Sequence, residues 1–279
     1  MKKPVSLSVI ITTYNWPEAL GAVLRSLANQ DYAKVELLIA DDGSDDRTKT
    51  LIESWQKKSR HPIVHIWQED KGFRAAKARN RAIAQAQNDF ILFLDGDCMV
   101  PVDFLKRYAA LAEKGYFVSG NRVLLQQSFT QWVLKEKVPA ERWAISRWIA
   151  TWFRGGCNRW SPLLHLPLGP LRYQHPQKWE GVKTCNLGVW REDLWRVNGL
   201  DEDYTGWGYE DSDLVIRLLR AGIQRKEGRF SVPVFHLWHP VQSRDLAKEN
   251  YARLAAIQND TRIKAVLGLD QYRSSSSNA

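Results

Sequence analysis

Asp95, Gly96 and Asp97 follow the apolar run Phe90-Ile91-Leu92-Phe93-Leu94, so two carboxylates leave the end of a segment patterned as a buried strand. Carboxylates at that place suit a hard divalent cation and the phosphate oxygens it would share. Strand alternation would set these two side chains, at i and i+2, on one face, and a turn at Gly96 decides how closely both approach a single cation. By itself the triplet is more often an ordinary turn. A second acidic pair lies in Gly206-Trp207-Gly208-Tyr209-Glu210-Asp211-Ser212-Asp213-Leu214, ahead of Val215, Ile216, Leu218 and Leu219 at helical spacing. Acids at a helix start cap free amides and complement the dipole. The same position also allows one carboxylate to take a proton from an attacking hydroxyl while the other orients it. His236 and His239 form an H-x-x-H before Pro240. A strand would set these imidazoles on opposite faces, so a joint site needs a bend, and hydrogen-bonded core histidines are the competing reading. For Arg74 and Arg79, with Lys71, Lys77 and Arg81 nearby, the competing reading is a solvated helix face.

These groups need a frame that delivers them to one edge. Val5 to Thr13 is a β-branched run closed by Tyr14-Asn15-Trp16-Pro17, and Pro17 suits the first turn of a helix. Ala19, Leu20, Ala22, Val23, Leu24 and Leu27 recur at helical spacing before a second apolar run, Val35 to Ala40, which ends in Asp41-Asp42-Gly43-Ser44. Ser44 or Asp45 caps a helix that begins near Thr48, which leaves Asp42 for another role. Ile63 to Trp67 fits a third strand, Arg74 to Ala86 a basic helix, and the fourth strand ends at Asp95. The alternation predicts an α/β fold, a mostly parallel sheet flanked by helices, with Thr12, Thr13, Tyr14, Asp41, Asp42, Asp95 and Asp97 along one edge.

A length of 279 residues fits one large α/β domain or one with a substantial insertion. The formal net charge of +9 points to nucleic acid, an anionic membrane surface or phosphorylated substrates without choosing among them. Cys98, Cys157 and Cys185 have no metal-ligand spacing and read as reduced thiols of a cytosolic protein. The N-terminal apolar run is too short for a signal peptide, and no segment approaches about 18 uninterrupted apolar residues, so the expectation is a soluble or peripherally bound chain.

Taken together, VIITTYN, LIADDGSDD, KARNRAIAQAQNDFILFLDGD and GWGYEDSDL, in this order, give a sequence that resembles the inverting family 2 glycosyltransferases of GT-A fold. The likeness covers roughly residues 5 to 125 and 183 to 240. It implies an enzyme that moves a sugar from a nucleoside diphosphate donor, UDP above all, to a hydroxyl of a glycan or lipid-linked acceptor. By the same likeness Thr12, Tyr14 and Asp42 hold the uridine, Arg79 lies near the nucleotide, and Asp95 supports ribose and metal. Asp97 binds a divalent cation, Mn²⁺ or Mg²⁺, with one histidine completing the shell; His236 is preferred at the strand end and His239 is second. In similar enzymes the second acid of the Glu-Asp pair is the base. That gives Asp211 the proton, Glu210 the acceptor hydroxyl, and Trp207 and Gly208 the acceptor sugar. Many proteins with this motif set build bacterial surface polysaccharide or lipopolysaccharide at the cytoplasmic face of the inner membrane.

Residues 121 to 180 fit the pattern poorly and hold six of the 13 tryptophans, with nine Lys or Arg against three Glu. Ile145, Trp148, Ile149, Trp152 and Phe153 make one apolar stripe, with Arg147 and Arg154 off it. It could pack on the core, lie in a membrane interface or line an acceptor groove. Ser161 to Lys178 reads as an ordered loop over the active site, Asp245 to Leu267 as a terminal helix, and Ser274 to Asn278 as a disordered tail. The expected division is a nucleotide-sugar half at 1–125, a basic Trp-rich insertion at 126–182, an acceptor and catalytic half at 183–270, and the tail at 271–279. A sugar nucleotidyltransferase would need a Gly-rich basic loop where TTYNWPEAL stands. A nucleic-acid binder would need basic and aromatic residues interleaved along a groove, whereas acids gather at this sheet edge, so no nucleic acid is expected.

Overall fold

A computed structural model describes residues 4–240 and 245–273. The tail expected at Ser274 to Asn278 lies outside these described residues. The elements, in chain order, are β1 (Leu7–Thr13), α1 (Pro17–Ala28), β2 (Val35–Asp41), α2 (Asp46–Lys58), β3 (Ile63–Trp67), α3 (Ala75–Gln85) and β4 (Phe90–Asp95). Next come β5 (Cys98–Met99), α4 (Phe104–Leu111), β6 (Tyr116–Ser119), β7 (Asn121–Leu124), α5 (Gln127–Lys135) and α6 (Ile145–Phe153). The chain continues through β8 (Asn186–Trp190), α7 (Arg191–Arg196), α8 (Glu210–Arg220), β9 (Gln224–Glu227), β10 (Pro233–His236) and α9 (Ala247–Gln258).

Seven strands form one sheet in the order β3-β2-β1-β4-β8-β6-β9. β8 runs antiparallel to both its neighbours and every other pairing is parallel. Alternation explains why the first strands read as unbroken apolar runs: both faces are covered. Val9, Ile11, Leu37, Ile39, Leu92 and Leu94 face a core with Leu20, Val23 and Leu24 of α1. Ile10, Leu38, Ile91 and Phe93 face the opposite core with Ala78, Ala82 and Ile83 of α3 and Leu214 and Leu218 of α8. The alanines of α3 let that helix lie close to the sheet, which is why Arg79 and Asn80 on it are buried rather than solvated.

A second sheet, β5-β10-β7, which sequence patterning did not predict, carries His236 at the end of β10, paired with Cys98 of β5. Against it packs the Trp-rich insertion. The predicted stripe divides. Trp148 is buried and stacks on Phe235 at 4.3 Å between ring centroids, whereas Ile145, Trp152 and Phe153 are exposed, Phe153 at 77%. Burial of the Trp148 indole contributes on the order of 3 kcal/mol, enough to fix α6 to the strand that bears His236. Arg147 lies over the Trp143 ring at 3.7 Å, a cation–π contact that shields part of the remaining aromatic surface.

One expectation gains detail and another is corrected. The segment 161–178 forms 3-10 turns at Ser161–Leu163 and Gly169–Tyr173 whose hydrogen bonds run along the β9 side of the sheet: Arg172 Nη1 donates to the carbonyls of Glu227 and Arg229, and Leu166 N to that of Phe230. It covers the backbone of an edge strand. The terminal helix stops at Gln258 rather than Leu267: the Asn259 and Asp260 amides close the last turn onto Ala256 and Ile257, and Asp260 then accepts from Arg262 N. Val266 is left exposed.

Candidate active site

The parallel register sets Thr12 level with Asp95 and Thr13 level with Asp41, so the carboxyl ends of β1, β2 and β4 form the predicted edge. Gly96 turns the chain there by a close approach, since it is not among the residues of positive φ. Its amide donates to Thr12 O at 2.7 Å, and a Cβ would stand 3.0 Å from Thr13 Oγ1 and 3.1 Å from Thr12 O. A side chain there would require the Thr12–Thr13 end of β1 to give by a few tenths of an ångström.

Asp42 is nearly fully buried beyond β2. One carboxylate oxygen accepts from Gln68 Nε2 and the other from Arg74 N, both at 2.6 Å. Burial pushes its pKa up, against the pull of these donors. A carboxylate has about four lone-pair sites, so two remain for a further N–H. Tyr14 is half exposed and its hydroxyl donates to Asp70 Oδ2 at 2.8 Å. Asp41, by contrast, is spent internally, accepting from Ser44 N at 2.8 Å and lying 2.8 Å from His65 Nε2. Asp45 is the cap of α2. Gln68 and Asp70 were not found by sequence reasoning; the one available signal was their position just past the third strand.

Arg79 is where the two halves of the chain meet. Only 4% exposed, it donates from Nε to Thr12 Oγ1 at 2.9 Å, from Nη2 to Asp95 Oδ1 at 3.0 Å, and from Nη1 to Glu210 Oε1 at 3.2 Å. Burial acts against its charge, but Asp95 and Glu210 outweigh that and hold its pKa above the ordinary value. The solvated reading of Arg79 is therefore overturned, and its contacts are with the protein's own acids. Burial raises the pKa of Asp95, with Arg79 opposing. Burial also raises that of Glu210, with the Asp211 charge adding to the rise. The Glu210 carboxylate, expected beside an acceptor, is engaged by Arg79. Losing one member of such a buried ion group costs about 3–5 kcal/mol.

Glu210 and Asp211 open α8 as predicted. Gly206, Gly208 and Tyr209 precede them with φ of 72°, 110° and 74°, a left-handed passage in which Tyr209 is the costly member. Gly206 N donates to Phe73 O at 3.0 Å, which ties this turn to the segment before α3. Trp207 stands beside it, 38% exposed. The foot of α8 is held by Asp213 and Arg217, both fully buried and 2.8 Å apart, with Arg217 Nη1 also donating to Val197 O and Gly199 O. Asp211 Oδ1 accepts from Ser212 N at 2.8 Å, and Lys183 Nζ lies 3.2 Å from Oδ2. Lys183 carried no sequence signal.

Asp97 Oδ2 lies 3.3 Å from His239 Nε2 and 3.8 Å from His236 Nε2, and the two rings are 5.2 Å apart. The bend required before Pro240 is present, so the histidines converge, and His239, the second choice, is the nearer. One carboxylate and two imidazoles suit a divalent first-row ion. Among the described residues, however, the ligand atoms that lie mutually within 4.8 Å are those of Asp97, Cys98 and His236, so His239 is near the carboxylate without closing a three-ligand group with His236. Burial pushes the Cys98 thiol well up, and its Sγ donates to Asp97 Oδ1 at 3.3 Å, so Cys98 orients the carboxylate as a thiol. Arg122 of β7 also faces this centre: burial opposes its charge, while the negative charge available around it, from the Cys185 and Cys98 sulfurs when ionised and from Asp95 and Asp97, more than offsets that and raises its pKa.

With this geometry established, comparison with known proteins is informative. Residues 8–167 match the family model for glycosyl transferase family 2, and 168–240 match the N-terminal domain of galactosyltransferase. The chain is 32% identical over 236 residues to validoxylamine A glucosyltransferase of Streptomyces hygroscopicus subsp. jinggangensis, spanning 81% of this chain but 54% of that enzyme. It thus spans about half of that relative's length. Its fold is similar to mannosyltransferase PcManGT from Pyrobaculum calidifontis in complex with GDP-Man and Mn²⁺, with a TM-score of 0.63 and 16% identity over 91% of this chain and 65% of that one. It is likewise similar to S. aureus TarS 1-349 in complex with UDP, with a TM-score of 0.62 and 17% identity over 96% and 68% of the two chains.

Proposed function

The chain belongs to glycosyl transferase family 2, and from that premise we propose that it is a metal-assisted, inverting glycosyltransferase that uses a UDP-sugar. The carrying observation is the Arg79 bridge, which joins Asp95 at the end of β4 to Glu210 at the start of α8. It fixes the edge suited to a nucleotide diphosphate relative to the carboxylate next in sequence, Asp211.

In this reading Asp42, Tyr14 and Thr12 border the nucleoside pocket. Asp97 with His239 and His236 would hold a divalent cation, Mn²⁺ or Mg²⁺, whose chemistry when bound is to neutralise charge on the diphosphate oxygens. Asp95 and Glu210 act through Arg79 and set the spacing between donor and base. Trp207 and Gly208 offer a surface for the acceptor sugar. The acceptor hydroxyl gives its proton to Asp211 Oδ2 as its oxygen bonds to the anomeric carbon, and the electron pair of the breaking bond leaves on the nucleoside diphosphate. With one base and no nucleophile assigned, a single displacement inverts the centre. Incubating the protein with Mn²⁺ and a panel of nucleotide sugars should identify one that is consumed fastest, a UDP-sugar, and NMR of its product should show an α-donor giving a β-link. Retained configuration would overturn the mechanism, and no consumption of any donor would overturn the function.

The setting that fits is bacterial surface polysaccharide or lipopolysaccharide synthesis, on a glycan or lipid-linked acceptor at the cytoplasmic face of the inner membrane. Among the described residues no helix is long and apolar enough to cross a membrane. Exposed Trp132, Trp152 and Phe153 beside exposed Arg142, Arg147 and Arg154 support peripheral contact with an anionic surface. Co-sedimentation with vesicles containing phosphatidylglycerol should be strong at low salt and lost when Trp152 and Phe153 are replaced by Ser; absence of binding at low salt would end the membrane assignment.

A further inference from the structure

Asp211 is not free to act as it stands. Its Oδ1 is taken by Ser212 N, and the ammonium of Lys183 sits 3.2 Å from Oδ2 and 3.4 Å from Oδ1. An attacking hydroxyl must reach the oxygen that Lys183 occupies. The Lys183 side chain is 42% exposed, while that of Asp211 is 8% exposed, so the lysine is the partner able to leave. It belongs to the irregular segment between the turn at Gly169–Tyr173 and β8, and no other ion pair of its ammonium is found among the described residues. Once displaced, a lysine is best satisfied by another anion close by.

We propose that Lys183 is the acceptor-selecting residue, and that it favours acceptors carrying a carboxylate or phosphate beside the reacting hydroxyl, onto which it moves and so releases Asp211. This rests on the reading of Asp211 as the base. The exchange replaces one ion pair by another and delivers the hydroxyl to the freed Oδ2 in the same movement. A neutral acceptor would have to separate Lys183 from Asp211 with no compensating anion. Lys183 thereby couples recognition of the acceptor to availability of the base, and in the absence of a suitable acceptor it keeps Asp211 from activating water against the donor.

The test uses the full chain with Mn²⁺ and UDP, and three probes that share one hexose frame: glucose, glucuronate and glucose 6-phosphate, titrated by ligand-observed NMR. At least one anionic probe should bind about tenfold more tightly than glucose, a charge-assisted contact converted to affinity. Glucuronate and glucose 6-phosphate separate carboxylate from phosphate. Lys183→Met and Lys183→Gln should reduce the preference below about threefold, and Lys183→Arg should retain it. A lysine that only orients Asp211 would weaken all probes together and leave the ratio unchanged. No preference in the unaltered protein, including no binding of any probe, or a preference that survives both neutral variants, overturns the proposal. UDP affinity, read by calorimetry in the same samples, reports folding of each variant; its absence in the unaltered protein counts against the glycosyltransferase reading instead.

Discussion

Asp211→Asn is expected to lower turnover by about two to four powers of ten while leaving donor affinity within about twofold, the usual size of a lost general base. The side chain keeps its shape, and its carbonyl oxygen can still accept the Ser212 amide that Oδ1 holds at 2.8 Å. Lys183 loses a charge partner but is exposed enough to be hydrated, so the fold should tolerate the change. What disappears is the ability to accept a proton. Glu210→Gln provides the contrast. Its carboxylate is engaged by buried Arg79, so that substitution should act through stability and donor binding, with Arg79 left to Asp95 alone. Steady-state rates and thermal melts of both variants separate the two roles. Should Asp211→Asn retain near-full turnover while Glu210→Gln loses its own at unchanged stability, the base has been assigned to the wrong acid.

The parts of this molecule that sequence reading recovered are those set by local periodicity. Ile63–Trp67 is a strand with the predicted ends because a short run rich in β-branched residues is bounded by Pro62 and by polar residues after Trp67. α8 begins at Glu210 because acids at a helix start follow a rule confined to one turn. What was missed depends on distance along the chain. Arg79, singled out only through the family likeness, otherwise looks like one more cation on a basic helix, and its meeting with Glu210, 131 positions away, which no local pattern shows, makes it the joint between the chain's halves. Lys183 and Gln68 likewise acquire meaning only from partners brought by the fold. The Trp148 stripe packs on the core only in part for a related reason: amphipathic spacing tells which face is apolar, but not how wide a surface awaits it, and Trp148 stacks on Phe235 of β10 while Phe153 stays exposed. The small sheet of β5, β10 and β7 escaped because strands of two to four residues carry too few alternations to be distinguished from loop.

The same small sheet governs the second large effect. Asp97→Asn is expected to weaken Mn²⁺ binding in the presence of UDP by about 100-fold or more, and to cost several powers of ten in transfer, because the cation supplies several kcal/mol of charge stabilisation in reactions of this type. Asp97 lies within 4 Å of both imidazoles, and its charge is not duplicated there: Asp95 has Arg79 as its partner, and the Cys98 sulfur is held as a neutral thiol. His236→Ala and His239→Ala should each cost less, since either leaves a carboxylate and one ring nitrogen in place. Between them His239→Ala should cost more, its Nε2 being 0.5 Å closer to the carboxylate oxygen than that of His236. Calorimetric titration of Mn²⁺ into each variant with UDP, beside the metal dependence of donor turnover, gives the ranking directly. An Asp97→Asn protein that binds Mn²⁺ as tightly as the parent would move the metal off this carboxylate and leave the Asp97, His236 and His239 cluster as a structural feature of the strand end.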